Sequence, residues 1–192
     1  MKLPDRSGDQ VRIGVAVPVP VPFAAELQAA RERFGDPLAT LIPPHITILG
    51  PTVVEPDEMP AVHEHLNDVA RHASSFLVHL RSSGTFRPVS EVVFVQVAQG
   101  IAECEMLERK VRSGPLAQEL RFHYHPHVTV AHDVSDAGLN IAFEEMSDYE
   151  ASFAVNAIVL YECGDDQVWR PVEEYRLGSA LDDDFVTEIV HH

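Results

Sequence analysis

The sequence predicts an α+β fold in which two similar βαβ-type halves share one sheet system. Three observations lead there. Strand and helix signals alternate as strand, helix, strand, helix, strand, and a similar order then recurs. The pentapeptide Pro44-His45-Ile46-Thr47-Ile48 returns 82 residues later as Pro126-His127-Val128-Thr129-Val130, a little under half the chain away. No stretch rich in Gly, Ser or Pro divides the halves. A single bilobal domain over 1–192 is therefore expected, with approximate halves 11–90 and 91–177 and an acidic tail at 178–192.

The elements follow in order. Residues 11–17, rich in Val and Ile, read as a buried strand that the Pro-Val-Pro-Val-Pro run to Pro22 ends. Phe23, Leu27, Ala30 and Phe34 have helical spacing, and Gly35 is a natural stop. A short strand lies within 41–49, after Pro43-Pro44. Residues 57–72 read as a helix, with Asp57 and Glu58 suited to its positive N-terminal end. Strands are expected at 76–80 and 92–98, separated by a turn-rich stretch at 82–90. Residues 101–120 read as largely helical, interrupted at Gly114-Pro115. A strand follows at 127–131, then a short helix capped by Ser135 or Asp136 and running to about residue 146. The last elements are one strand over 153–162, a turn at 164–167 and a return strand over 168–177. The acidic end, 182–192, is expected to fray, and whether His191-His192 belongs to the natural protein is open.

Composition excludes several classes. Hydrophobic residues make up 45% of the 192, which fits a packed domain and not a disordered chain. No apolar run approaches the ~20 residues that cross a bilayer. Residues 1–10 lack the apolar segment of a secretory signal, and Cys104 and Cys163 lack metal-type spacing, so a reduced, cytoplasmic protein is expected. The net charge of −16 repels phosphate backbones. The expected partner is thus a small nucleotide or an RNA end held in a local pocket. No extended nucleic-acid surface, no membrane contact and a monomeric chain are expected.

Chemistry enters through the repeat. Eleven histidines and seventeen Ser or Thr residues give about one His-x-Ser/Thr triplet by chance, and there are three. His72-Ala73-Ser74 lies in a predicted helix, where positions two apart do not share a face, and it lacks the Pro and the flanking aliphatics. The other two copies share their whole context. In a strand, residues two apart point to the same side. His45 and Thr47 therefore share one face while Ile46 and Ile48 enter the core, and His127 and Thr129 do the same over Val128 and Val130. If the halves pack about a pseudo-twofold axis, two imidazole–hydroxyl pairs face each other. Phosphodiester cleavage needs one group to take a proton from the nucleophile and one to give a proton to the leaving oxygen. Histidine, with an ordinary pKa near ~6.5, does either. Thr47 and Thr129 are placed to donate to the non-bridging phosphate oxygens. No metal and no cofactor are required.

These paired His-x-Thr motifs resemble those of the 2H phosphoesterase superfamily, which includes bacterial RNA 2′,3′-cyclic phosphodiesterases, also called 2′-5′ RNA ligases. The resemblance covers roughly residues 11–177 and is carried by His45, Thr47, His127 and Thr129. It implies antiparallel sheets around a central cleft, metal-independent chemistry, and 2′-linked or cyclic phosphate substrates, with a 2′-phosphate as product. The acidity of this chain sets it apart from a binder of large RNA.

Further candidates stand near the motifs. Arg87 can pair with a substrate phosphate and Phe86 can stack on a base, although a solvated Arg beside a packed Phe fits equally well. Tyr124 is a second stacking candidate, Arg121 a source of positive charge, and His125 a residue of the cleft rim. Two rival readings remain. One is a module that binds a phosphorylated nucleotide without turnover. The other is a metal-dependent hydrolase using the cluster His123, His125, His127 and His132, in which Pro126 disturbs the strand and no carboxylate or Cys completes the set.

Overall fold

The computed structural model describes residues 3–178, so the acidic end and His191-His192 lie outside the described residues. The order of elements is β1 (Val11–Pro18), α1 (Phe23–Phe34), β2 (His45–Val54), α2 (Met59–Arg71), β3 (Phe76–Thr85), β4 (Val92–Gln99), α3 (Ile101–Val111), β5 (His127–His132), α4 (Asp136–Glu145), β6 (Glu150–Val155), β7 (Ala157–Cys163) and β8 (Trp169–Arg176). Short 3-10 turns occupy Pro56–Glu58 and Gly114–Leu116. The strands form two antiparallel four-stranded sheets, in the orders β2-β1-β7-β8 and β5-β4-β3-β6. The strands of the halves interleave: β3 lies in the second sheet, and β7 and β8 return to the first. The two motif strands, β2 and β5, are the equivalent edges of the two sheets and run close to one another.

Strand alternation divides each sheet into a core face and a cleft face. In the first sheet Ile13, Val15, Val17, Ile46, Ile48, Ile158 and Leu160 enter the main core. In the second sheet Val93, Val95, Val97, Val128 and Val130 do so. The helices cover these faces with Leu27 and Phe34, Val62 and Leu66, Leu107 and Val111, and Leu139 and Ala142. The packing crosses between halves: α1 lies against β5, and α3 lies against β2. Each motif strand is thus backed by a helix from the other half. A second, smaller cluster on the opposite face of the first sheet joins Ala16, Val159, Tyr161, Cys163 and Trp169.

The structure corrects four expectations about elements. The strand expected over 153–162 is two strands, β6 and β7, which belong to different sheets and part at Asn156. The strand expected at 76–80 continues to Thr85, because a bulge with Ser82 at φ 63 carries it through the supposed turn. The helix expected over 101–120 ends at Val111, and after the turn at Gly114–Leu116 the chain is irregular up to His127. The strand after Pro43-Pro44 runs on to Val54. Helix α1 ends where expected, at Gly35 with φ 78, a left-handed conformation that glycine adopts without the strain other residues would carry. Ser135 caps α4 by accepting from the N–H of Gly138.

One buried ion pair fixes the segment that delivers the first motif. Arg31 on α1 lies 2.9 Å from Asp36, and both side chains are almost wholly enclosed. Arg31 also donates to the carbonyl of Ile42, and Asp36 accepts from the N–H of Leu38 at 2.9 Å. The loop between α1 and β2 is thereby pinned at both ends. Removing one member of such a pair strands a buried charge. Asp36→Ala should therefore lower stability to denaturant by about 3–5 kcal/mol. Arg33→Ala, which breaks the exposed pair with Glu145, should cost roughly 1 kcal/mol or less. Equal effects in urea unfolding would show that the buried pair does not hold the loop.

Candidate active site

Each motif histidine opens an edge strand immediately after a proline. A residue before proline is pushed to extended backbone, and in both motifs its carbonyl turns toward the imidazole. His45 Nδ1 lies 2.7 Å from the carbonyl of Pro43, and His127 Nδ1 lies 2.7 Å from the carbonyl of His125. A carbonyl only accepts, so Nδ1 donates in both rings, and in the neutral form Nε2 carries the lone pair. His45 Nε2 meets the hydroxyl of Thr47 at 3.1 Å. His127 Nε2 and the Thr129 hydroxyl have no hydrogen-bond partner among the described residues.

Burial lowers the pKa of both histidines. For His45, the carbonyl of Pro43 opposes the shift and the positive charge of Arg31 adds to it. For His127 the value falls to about 4, again through burial, partly opposed by the carbonyl of His125 and assisted by the charges of His125 and His45. Lowered in this way, both rings are neutral near pH 7. An anion placed near an imidazole favours its protonated form.

The surroundings of the two rings differ. His127 sits in an aromatic corner. The ring of Phe86 stands edge-on to it at 4.9 Å between centroids, and the ring of Phe94 is tilted at 5.0 Å. Phe86 and Phe94 pack on each other at 4.4 Å. Phe94 has room because it lies over Gly84 on the neighbouring strand, where a Cβ would stand 2.5 Å from the ring. In β-sheet register Phe94 is the neighbour of Thr129, and the corresponding neighbour of Thr47 is Ala16.

The structure brings His45, Thr47, His127 and Thr129 to the cleft-side edges of the two sheets. The other candidates are placed as follows. Phe86 packs into the His127 corner. Arg87 is held by the side chain of Asn140 at 2.8 Å and lies near the Thr85 hydroxyl. Tyr124 donates its hydroxyl to the carbonyl of Thr47 at 2.9 Å, a tie between the two motifs. Burial raises the pKa of that hydroxyl, so it stays a donor. Arg121 is exposed and lies over the exposed ring of Phe122. His125 is exposed, with its ring stacked 6.3 Å from that of His127. His123 is exposed as well. His132 stands at the far end of β5, five residues and roughly 16 Å of strand from His127. Among the described residues no group of three His, Cys, Asp or Glu is arranged to hold a metal ion.

A model of the 2′-5′ RNA ligase superfamily matches residues 19–167. The chain belongs to that superfamily. Membership agrees with the two His-x-Thr motifs and identifies it as a phosphoesterase of the 2H type. Among superfamily relatives, a "Putative phosphoesterase" of Halalkalibacterium halodurans is 27% identical over 175 residues, spanning 86% of this chain and 96% of the relative. A second, from Bacillus cytotoxicus, is 27% identical over 152 residues, spanning 78% and 87%. Among solved structures, Escherichia coli LigT complexed with 3′-AMP superposes with a TM-score of 0.63 at 19% identity, over 88% of this chain and 98% of LigT. The crystal structure of a phosphoesterase gives 0.64 at 19% identity, with the same coverage. These likenesses establish the superfamily fold.

Phe94 was not singled out by the sequence reading. Its signal was available: in Val92–Gln99 it alternates with Val93, Val95 and Val97, which places it on the cleft side with Gln96. If Phe94 dries the environment of His127, Phe94→Ala should raise the pKa of that imidazole from about 4 toward the ordinary ~6.5. An NMR titration of the His127 ring in both proteins measures this. An unchanged value would remove Phe94 from the setting of the site.

Proposed function

We propose that the cleft is the active site of a metal-independent phosphodiesterase. It hydrolyses a 2′,3′-cyclic phosphate or another 2′-linked nucleotide or RNA-end ester by two-histidine acid–base catalysis. The observation that carries this reading is the matched setting of His45 and His127, each with Nδ1 fixed on the carbonyl two residues upstream. That bond leaves Nε2 of both rings for proton transfer. One Nε2 takes a proton from water as its oxygen attacks phosphorus. The other gives a proton to the leaving oxygen, and the cyclic ester becomes a 2′-phosphate. Thr47 and Thr129 donate to the non-bridging oxygens, where charge grows as the bond to water forms. Phe86 and His125 line the His127 side of the site.

The titration order sets the pH dependence. The productive state has one ring protonated and one neutral. Below both lowered pKa values the two rings are charged, and above both they are neutral. The kcat/KM profile should therefore be bell-shaped, with both limbs below about pH 6.5 and one near about 4. The kcat profile should lie at higher pH, because bound phosphate favours the charged rings. A rate that climbs steadily to pH 9 would contradict the paired roles.

The direct test is hydrolysis of nucleoside 2′,3′-cyclic phosphates with and without EDTA. His45→Ala and His127→Ala should each lower turnover by ~10²–10⁴-fold while the circular dichroism of the fold persists. Folded variants with wild-type rates would overturn the assignment. Activity lost to EDTA and restored by zinc would replace it with metal chemistry. Phosphate-dependent binding without turnover would make the cleft a binding module.

A further inference from the structure

The stretch that leads into the second motif differs in charge from the rest of the chain. Residues 109–132 hold four Lys or Arg residues and a single acidic one, Glu119, in a chain that carries −16 overall. From Leu120 to His132 there is no Asp or Glu, and four of the eleven histidines fall there. Charge of one sign repels a polyanion, so this stretch is where one can approach.

Within it, residues 118–124 form a strap along β2, the edge strand of the first sheet. Gln118 donates its side-chain amide to the Thr52 hydroxyl at 3.0 Å, and Arg112, just past α3, donates to the Gln118 carbonyl at 2.8 Å. Six residues on, Tyr124 donates to the carbonyl of Thr47. The strap is thus tied at both ends, and residues 119–123 between the ties are all exposed. Leu120 is 45% exposed and Phe122 61%, so the core holds neither side chain. The guanidinium of Arg121 stands over the Phe122 ring, 5.2 Å from its centroid. The pair presents a π-face and a positive charge together.

That combination selects the ligand. Single-stranded nucleic acid offers π-faces on its bases and negative charge on its phosphodiesters, and aromatic rings with Arg beside them bind both. Resting on the phosphodiesterase reading, we propose that the strap is a stacking platform for the bases upstream of the scissile ester. The substrate is then the end of a short RNA strand and not a free nucleotide. Phe122 lies five residues before His127, at most ~18 Å along an extended chain. An RNA end whose terminal phosphate lies between the two histidines has its preceding nucleotides within reach of the strap. The acidity of the remaining chain confines the footprint to those few nucleotides. Contacts this far from the reacting atoms are the same before and during the reaction, so they act on KM and leave kcat alone.

The experiment compares adenosine 2′,3′-cyclic phosphate with the dinucleotide and trinucleotide of adenosine that end in the same cyclic phosphate. In the wild type kcat/KM should rise ~5- to 100-fold from the mononucleotide to the trinucleotide. Phe122→Ala should remove most of that gain through a higher KM and leave the mononucleotide rate unchanged. Arg121→Ala should act in the same direction and make the KM of the trinucleotide less dependent on salt. Equal kcat/KM for the three esters in the wild type, or a gain untouched by Phe122→Ala, overturns the platform while leaving the phosphodiesterase reading intact. An equal loss on all three esters in Phe122→Ala also overturns it, because the ring would then act on the fold and not on upstream bases. If no ester is turned over, the proposed activity fails, and the fluorescence anisotropy of a 5′-labelled triadenylate bearing a 2′-phosphate decides the platform. Weaker binding by Phe122→Ala than by the wild type sustains it; equal binding, or none, overturns it.

Discussion

The site depends on one short hydrogen bond made twice, from the Nδ1–H of a histidine to the carbonyl two residues before it. That bond decides the tautomer, and the tautomer decides which nitrogen can do chemistry. The intervening proline contributes without touching a substrate. It holds the preceding residue extended and brings no N–H that could compete for the carbonyl. The strand that follows supplies the rest. Because its side chains alternate, the aliphatics that anchor it in the core also aim His and Thr out of the core together. Anchoring and the proposed catalysis use alternate residues of one strand, so neither can slip by a residue without the other.

Two edge strands in separate sheets need a further reason to keep their spacing. The structure supplies three connections across the halves. One helix of each half backs the motif strand of the other, through α1 on β5 and α3 on β2. Tyr124, just before the second motif, bonds to the backbone of the first. The chain also passes from the second sheet to the first at Asn156, between β6 and β7. A shift of one lobe would disturb packed cores on both sides of the cleft, and close-packed interiors resist such shifts. The distance between the two imidazoles is therefore a property of the whole fold.

These levels were unequally legible in the sequence. The motif was readable because its information is local: a period of two, a proline and a repeat. The helix end at Gly35 and the cap at Ser135 were readable for the same reason. The split at Asn156 was harder, since residues 153–162 form one apolar-rich run. Its trace is a slip of phase: Ala151, Phe153 and Val155 are buried in steps of two, and burial resumes at Ile158 and Leu160. The continuation of β3 through Ser82 depends on a bulge that no composition rule marks. Only proximity in sequence marks Phe86, Arg87 and Tyr124. Their side chains are engaged by Phe94, Asn140 and Thr47 respectively, partners that only the tertiary fold brings to them.

A duplicated motif also raises a problem that its own residues do not solve. Hydrolysis is directional, with water on one side of phosphorus and the leaving oxygen on the other, yet the two His-x-Thr units are nearly equivalent. The bias has to come from neighbours that broke the symmetry of the duplication. Those neighbours sit one strand inward, on β1 and β4, where Ala16 and Phe94 occupy corresponding places. The small residue leaves space that Trp169 and Tyr161 wall with aromatic rings, and the large one packs its ring against His127. The difference between the two motif surroundings thus lies one strand inward, in the volume of a single side chain on β1 and on β4.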